Sequence, residues 1–532
     1  LISIMGKNDY VPLDDSGVSS STKKFRLAAA LTAIILVFGG VALAVYFTVD
    51  SNNEPKSNMI WEEITVTDVT VHLSAFQDIA MNTTGKNRAA GTVGFERSVH
   101  YVREQLEATK FFDVTVQPFE AGSYSVGVSK LSVLSPVPVN LVQGSSAQFQ
   151  VITNSKVGSV NGTLSLAKNN GCDTADYTAT PGIVLVEGGN TNCTITMAVD
   201  TAVKANATAV LLLGKDGKSF TGTYGEARGM QTSGVPVVGV AGDVGALLRV
   251  ANTQVLLEVN ADSKKFVTWN VIAQTKTGDE NAVIVVGSHL DSVPAGPGIN
   301  DDGSGSASNL AVALAAAEKK LKFVSQTRFC FWAAEELGLL GSKHYVSSLN
   351  QTEFDKLLLN LNFDMLGSIN YKRMVNQINP NSTTVHKDTM IASELIEHLF
   401  TGFFDQLNLP HAPAEIDVPG RSDYAPFLDR MIPSGGLFTG AEVLKTAKEA
   451  EKFGGLQGAQ LDPCYHQACD TWPANIDTDV LFSNVRALAY SMEKLATHAN
   501  ARKWLYPNGN GTTINHNASG NEVADLKFFS LE

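Results

Sequence analysis

Two periodicities alternate along the chain. Residues 66–80 and 94–108 carry apolar side chains at three- and four-residue spacing, which predicts two amphipathic helices, and Asp113-Val-Thr-Val-Gln117 alternates as a strand does. From about 130 to 265 the pattern changes to short β-rich runs between Gly-rich turns, among them Gly182-Ile-Val-Leu-Val-Glu187, Ala209-Val-Leu-Leu-Leu-Gly214 and Val235-Pro-Val-Val-Gly-Val240. This predicts a separate β-rich module, residues 131–265, set into a surface loop of a host domain. The host, residues 60–130 and 266–505, resumes at Trp269-Asn-Val-Ile-Ala-Gln274. Strands over 281–287, 327–333 and 357–363 then alternate with helices over 305–320 and 339–349. The expected host is an α/β fold, a mostly parallel central sheet flanked by helices. Active sites in such folds lie beyond the carboxyl ends of the strands.

One apolar run fits neither domain. Residues 27–49 form 23 positions without a charge, enough to span a bilayer, with Lys23, Lys24 and Arg26 before them and Asp50 and Glu54 after. By the positive-inside rule, residues 1–26 are a cytoplasmic tail, 27–49 a signal anchor, and the rest lies outside the cell or in a lumen. The expectation is a single-pass type II membrane protein, its folded part extracellular or in the lysosomal or vacuolar lumen; shedding near residues 50–58 is left open. Residues 506–532 read as a tail. Eight Asn-X-Ser/Thr sequons, at Asn82, Asn161, Asn192, Asn206, Asn350, Asn381, Asn510 and Asn517, all follow the apolar run, on the side where glycosylation occurs.

Composition narrows the field. With 532 residues, more than one hydrophobic core is expected, and a net charge of −13 argues against nucleic acid as a partner. Five cysteines suit an oxidising compartment. Cys464 and Cys469 are close in sequence, Cys172 and Cys193 flank a short stretch, and two disulfides with Cys330 left over is the simplest count. Cys330, in an apolar run, reads as a buried thiol. The sequence defines no oligomeric state.

The candidate chemistry sits at the strand ends. In Gly287-Ser-His-Leu-Asp-Ser-Val-Pro-Ala-Gly-Pro-Gly-Ile-Asn-Asp-Asp-Gly-Ser-Gly305, His289 closes a β-branched run, and Asp301 and Asp302 follow a Gly/Pro-rich turn. Glu335 and Glu336 follow the second strand, Asp364 ends the third, and His466 lies in Pro463-Cys-Tyr-His-Gln-Ala-Cys469. Carboxylates and imidazoles converging from separate strands suit a pair of metal ions. A second His-X-Asp at His386-Lys-Asp388 and a Glu pair at Glu62-Glu63 have no strand before them and are not counted, and His344 and His398 fall within helical patterns.

These residues resemble the M28 family of dizinc metallopeptidases, specifically its secreted and vacuolar aminopeptidase branch. The matching segments are Gly287-Ser-His-Leu-Asp-Ser-Val293, Gly298-Ile-Asn-Asp-Asp-Gly-Ser-Gly305, Ala334-Glu-Glu-Leu-Gly-Leu339, Asn362-Phe-Asp-Met-Leu-Gly367, Gly420-Arg-Ser-Asp423 and Cys464-Tyr-His-Gln-Ala-Cys469. The insert resembles a protease-associated domain. The resemblance implies a zinc exopeptidase fold and two Zn2+ per chain, bridged by Asp301. His289 and Asp364 would complete one site, Glu336 and His466 the other. Glu335 matches the general base, Tyr465 the oxyanion-stabilising phenol, and Arg421 and Phe438 substrate-pocket residues. Asp291 is placed to orient His289 through its other ring nitrogen. A cis peptide after Asp301 is also implied. The expected function is release of N-terminal residues from peptides with a free N-terminus, by metal-activated water. A membrane-anchored carboxypeptidase of the same superfamily and a receptor on a decayed peptidase scaffold are the competing readings.

Overall fold

The computed structural model describes residues 59–506, apart from 145–146, 179–180, 188–192, 216, 226–228 and 417–419. The expected anchor and cytoplasmic tail, the tail beyond Tyr506, and the sequons at Asn192, Asn510 and Asn517 lie outside the described residues. Among those described, no helix is long and apolar enough to cross a membrane.

Helices α1 (Val66–Met81) and α2 (Val93–Ala108) form where the apolar spacing predicts them. Each starts at a threonine whose hydroxyl accepts a backbone N–H three residues on, Thr65 from Asp68 and Thr92 from Phe95, which satisfies a donor the helix leaves open. Strand β1 (Phe112–Val126) then leaves the host. The insert follows, with β2 (Lys130–Ser135), β3 (Val139–Asn140), β4 (Phe149–Val151), β5 (Gly158–Leu166), β6 (Ile183–Glu187), helix α3 (Ile195–Lys204), β7 (Ala209–Leu213), β8 (Val237–Val240) and β9 (Gln254–Val259). They form a sheet of their own in the order β3-β2-β9-β5-β6-β7-β8-β4, over a buried cluster that includes Phe149, Leu211, Val238 and Leu257. Strand β10 (Ala261–Thr275) returns to the host, paired antiparallel with β1 from Val126–Ala261 to Phe112–Thr275.

The host continues as β11 (Asp279–His289), α4 (Gly303–Glu318), β12 (Ser325–Trp332), α5 (Leu340–Ser348), β13 (Leu357–Phe363), β14 (Met374–Gln377), α6 (Lys387–Gln406), β15 (Ala412–Glu415), β16 (Ser434–Phe438) and α7 (Thr478–Thr497). Its sheet runs β1-β10-β12-β11-β13-β16-β14-β15. The four central strands β12, β11, β13 and β16 are parallel, while β1, β10 and β14 each pair antiparallel with a neighbour. The sheet is therefore mixed, and only its centre matches the expected parallel arrangement. At the β1–β10 edge the cause is the insert: a module entered and left through one ribbon requires an outgoing and a returning strand side by side.

Both faces are covered, as the uninterrupted apolar strands require. Ile284 and Val286 point into the cluster shared with Leu310, Phe363 and Leu488, whereas Val283 and Val285 join Trp332, Tyr345 and Phe427 on the other face. Cys330 is buried there as a free thiol, and burial pushes it well above its ordinary pKa. Parallel strands end on one side. His289, the Glu335–Glu336 turn and Asp364 are thereby delivered to a single edge of the sheet.

Candidate metal centre

Close backbone approach assembles the site. A Cβ on Gly305 would stand 2.1 Å from the Phe363 carbonyl oxygen, so only glycine lets the start of α4 lie against the end of β13. The Asp302 carboxylate fills the gap, accepting N–H groups from His289 (3.1 Å), Gly305 (2.8 Å) and Met365 (3.0 Å), and so ties two strand ends to one helix start. The peptide between Asp301 and Asp302 is cis, as implied. Ala334, Met365 and His466 all hold left-handed backbone, at φ 57°, 57° and 58°. Such conformations cost non-glycine residues roughly 1 kcal/mol or more each, and here they cluster beside the candidate ligands.

The five predicted ligands meet as two triads that share Asp301: His289 with Asp301 and Asp364, and Asp301 with Glu336 and His466. His289 Nε2 stands 3.2 Å from Asp301 Oδ1 and 3.6 Å from Asp364 Oδ1. His466 Nε2 stands 3.1 Å from both Asp301 Oδ2 and Glu336 Oε2. Ligands set tetrahedrally about 2.0–2.2 Å from a zinc ion stand roughly 3.4 Å apart, so each triad has the edge length of a zinc site. Glu336 Oε1 and Asp364 Oδ1 are buried and accept no hydrogen bond. Buried carboxylate oxygens without donors are costly unless a cation pairs with them. The donor set fits zinc.

The charges point the same way. Burial pulls His289 down, but Glu335 and Asp364 outweigh it and hold the imidazole well above its usual range. Burial pushes Asp301 up, yet hydrogen bonds from His289 and His466 win and hold it well below. Glu335, 4.0 Å from His289 Nε2, is held well above by burial, and burial also raises Glu336 to about 7. More buried negative charge gathers here than two imidazoles neutralise.

The surrounding groups hold the ligands still. His289 Nδ1 lies 3.1 Å from the Asp291 carbonyl oxygen and 3.8 Å from its carboxylate. The expected orienting contact is thus made by the backbone of Asp291. With Nδ1 donating to that carbonyl, Nε2 is the ring nitrogen left to face Asp301. The Asp291 carboxylate accepts the N–H groups of Glu335 (3.1 Å) and Glu336 (3.4 Å) and positions that pair. Ser422, inside the Gly420–Asp423 segment but not singled out there, donates to Asp364 Oδ2 at 2.5 Å and accepts from Asn362 Nδ2 at 2.8 Å.

The loop that carries His466 is closed by the expected Cys464–Cys469 disulfide, and Cys172–Cys193 closes the pair in the insert. Between the first two cysteines, Tyr465 stacks on His466 with ring centres 3.8 Å apart. Sequence reading misses the anchors of this loop. Buried Asp470 accepts the N–H groups of Asn300 (2.8 Å) and Asp301 (3.0 Å), and Asn475 Nδ2 bridges Asp470 and Asp462 at 2.9 and 3.0 Å.

Arg88 is also missed. Its guanidinium is fully buried and donates to the carbonyls of Leu290, Pro297 (2.9 Å) and Gly298 (2.5 Å), bracing the loop between His289 and Asp301. Burial lowers it to about 10, still charged at neutral pH, with Asp291 and Asp302 nearby. A lone arginine in Asn87-Arg-Ala-Ala90 gives no sequence signal. Arg88→Leu is expected to strand three carbonyls and destabilise the protein by about 3 kcal/mol. An unchanged denaturant midpoint would contradict that role.

Glu335, Asp301, Asp364, Tyr465, Arg421 and Phe438 line one cavity of about 300 Å3. His386 instead caps a helix start at the surface, its ring accepting the Asp388 N–H, and Glu62-Glu63 lies in a one-turn helix.

Two zinc-suited triads at the carboxyl edge of a parallel-centred sheet, opening on a cavity, define a metallohydrolase. Residues 270–492 match the model of peptidase family M28, and residues 160–248 match that of the PA domain. A leucine aminopeptidase 2 of Arthroderma otae is 38% identical over 484 residues, covering 90% of this chain and 92% of its own length. A probable leucine aminopeptidase 2 of Aspergillus fumigatus is 37% identical over 444 residues, covering 82% and 84%. Among solved structures, an aminopeptidase from Aneurinibacillus sp. strain AM-1 superposes with a TM-score of 0.61 at 25% identity, covering 82% of this chain and 95% of that one. The chain belongs to peptidase family M28, with a PA domain inserted in its peptidase domain.

Proposed function

We propose that the protein is a zinc-dependent aminopeptidase that hydrolyses the N-terminal peptide bond of peptides. The observation that carries this reading is the charge of the cavity. Glu335, which belongs to neither triad, lines it, while its cations Lys372 and Arg421 are paired with Glu449 at 2.9 Å and Glu442 at 3.0 Å. An N-terminal ammonium finds a carboxylate there. A C-terminal carboxylate finds no unpaired cation among the described lining residues, which disfavours a carboxypeptidase. The names of the fungal relatives agree, and a complete ligand set disfavours a decayed scaffold.

Two zinc ions per chain are inferred, one held by His289, Asp301 and Asp364, the other by Asp301, Glu336 and His466. Bound there, zinc supplies a Lewis acid that polarises the scissile carbonyl and makes an attacking water more acidic. The Glu335 carboxylate takes the proton from the water and returns it to the leaving amine. The Tyr465 hydroxyl, 3.4 Å from Arg421 Nη2, donates to the oxygen that becomes an oxyanion, and Phe438 bounds the side-chain pocket.

The five described sequon asparagines, Asn82, Asn161, Asn206, Asn350 and Asn381, are exposed. With the two disulfides they support placing the peptidase outside the cell or in a lysosomal or vacuolar lumen, tethered through residues 27–49. The test of activity is a matched panel of free and N-blocked peptides. The purified protein is expected to cleave only the free ones, to lose that activity to a chelator and to regain it with zinc or cobalt. Cleavage of blocked peptides from their C-termini would select the carboxypeptidase instead.

A further inference from the structure

The far side of the catalytic cavity holds a polar group that the proposed reaction does not use. Met374 and Asn376 alternate with Val375 along β14, so both point to the same face, and both line the cavity. Ile416 and Leu461 complete apolar walls there, each about 3% exposed. Asn376 is 3% exposed, and no described residue makes a hydrogen bond to its side-chain amide. A buried amide that faces a cavity without a partner loses its bonds to water whenever an apolar group fills the space, and that loss is larger than the gain from a typical hydrogen bond.

From this we infer, resting on the aminopeptidase reading, that Asn376 is a specificity-determining residue. It selects N-terminal residues whose apolar stem ends in a neutral amide, glutamine first, over leucine. A terminal carboxamide offers a donor and an acceptor, and Asn376 presents the complementary acceptor and donor. The stem of such a side chain packs between Met374, Phe438 and Leu461. A carboxylate end, as in glutamate, meets no free cation, because Lys372 and Arg421 are engaged by Glu449 and Glu442. An ammonium end, as in lysine, satisfies the Asn376 oxygen but leaves its N–H2 unpaired.

The experiment compares otherwise identical peptides that begin with Gln, Leu, Lys or Glu, in the wild type and in Asn376→Leu. The wild type is expected to favour Gln, and the Gln:Leu ratio of kcat/KM is expected to fall about tenfold or more in the variant, largely through KM. An unchanged ratio, or a wild type that prefers Lys or Leu, overturns the inference. Should Asn376→Leu fold poorly, Asn376→Asp serves in its place. The Lys:Gln ratio must then rise, and a constant ratio also overturns the inference. Calorimetric binding of free glutamine and leucine separates the two claims, since it needs no turnover. If no peptide is cleaved but the ratio of the two dissociation constants moves with residue 376, the pocket assignment stands and the aminopeptidase reading falls.

Discussion

Glu335→Gln is expected to lower kcat on a free peptide by on the order of 10³-fold or more, with metal content unchanged. The substitution keeps the shape of the side chain and removes only its capacity to accept a proton. Its backbone stays in place, because the N–H groups of residues 335 and 336 are held by the Asp291 carboxylate at 3.1 and 3.4 Å. Glu335 belongs to neither ligand triad, so the loss should fall on kcat with little change in KM. The neighbouring glutamate provides the contrast. Glu336 lies within one triad, and its replacement by glutamine should lower metal content as well as rate. Elemental analysis beside steady-state kinetics distinguishes the two. Full activity in Glu335→Gln would remove the general-base assignment, and metal loss in it would mean that the ligand and the base have been exchanged.

The candidate ligands His289 and Asp364 were legible because each ends a strand that its own residues specify. Leu357-Leu-Leu-Asn-Leu-Asn-Phe363 is a buried strand with both ends where the pattern puts them, and Asp364 follows it directly. Where two side chains meet only through the fold, the sequence is silent. Strand β16 contains Gly435 and Gly436, poor strand formers, and it exists because it pairs with β13. A Cβ on Gly436 would stand 1.9 Å from the Asn362 carbonyl oxygen, so that register demands glycine. The short strands β14 and β15 give no periodicity over four residues each, yet they carry Asn376 and Ala414 into the cavity. Arg88 and Asp470 were missed for the same reason. Their partners lie about 170 to 210 residues away, and a single arginine or aspartate has no pattern to betray it. In Asp291 the residue was legible and the atom was not: spacing placed it beside His289, but whether carbonyl or carboxylate faces the ring depends on the turn.

Asp301→Ala is expected to empty both metal sites at once, and this separates a bridging ligand from an ordinary one. One carboxylate oxygen of Asp301 faces His289 at 3.2 Å, and the other faces His466 at 3.1 Å. Without them His289 keeps only Asp364, and Glu336 keeps only His466, two protein ligands where catalytic zinc sites use three. Metal per chain should therefore fall from about two to well below one, and activity with it. Loss of Asp364 or Glu336 alone should instead spare the opposite triad. The comparison is fair because the main chain at 301 is secured separately, its N–H bound by Asp470 at 3.0 Å. Asp302 likewise holds its neighbours through its own carboxylate. Asp301→Asn sharpens the test. One amide oxygen remains to coordinate, while the nitrogen turns a donor toward the other metal position, so at most one ion should persist. A variant at residue 301 that still binds two ions after gel filtration, counted by elemental analysis, would show that the triads do not depend on a shared ligand. The dizinc reading would then need another bridge.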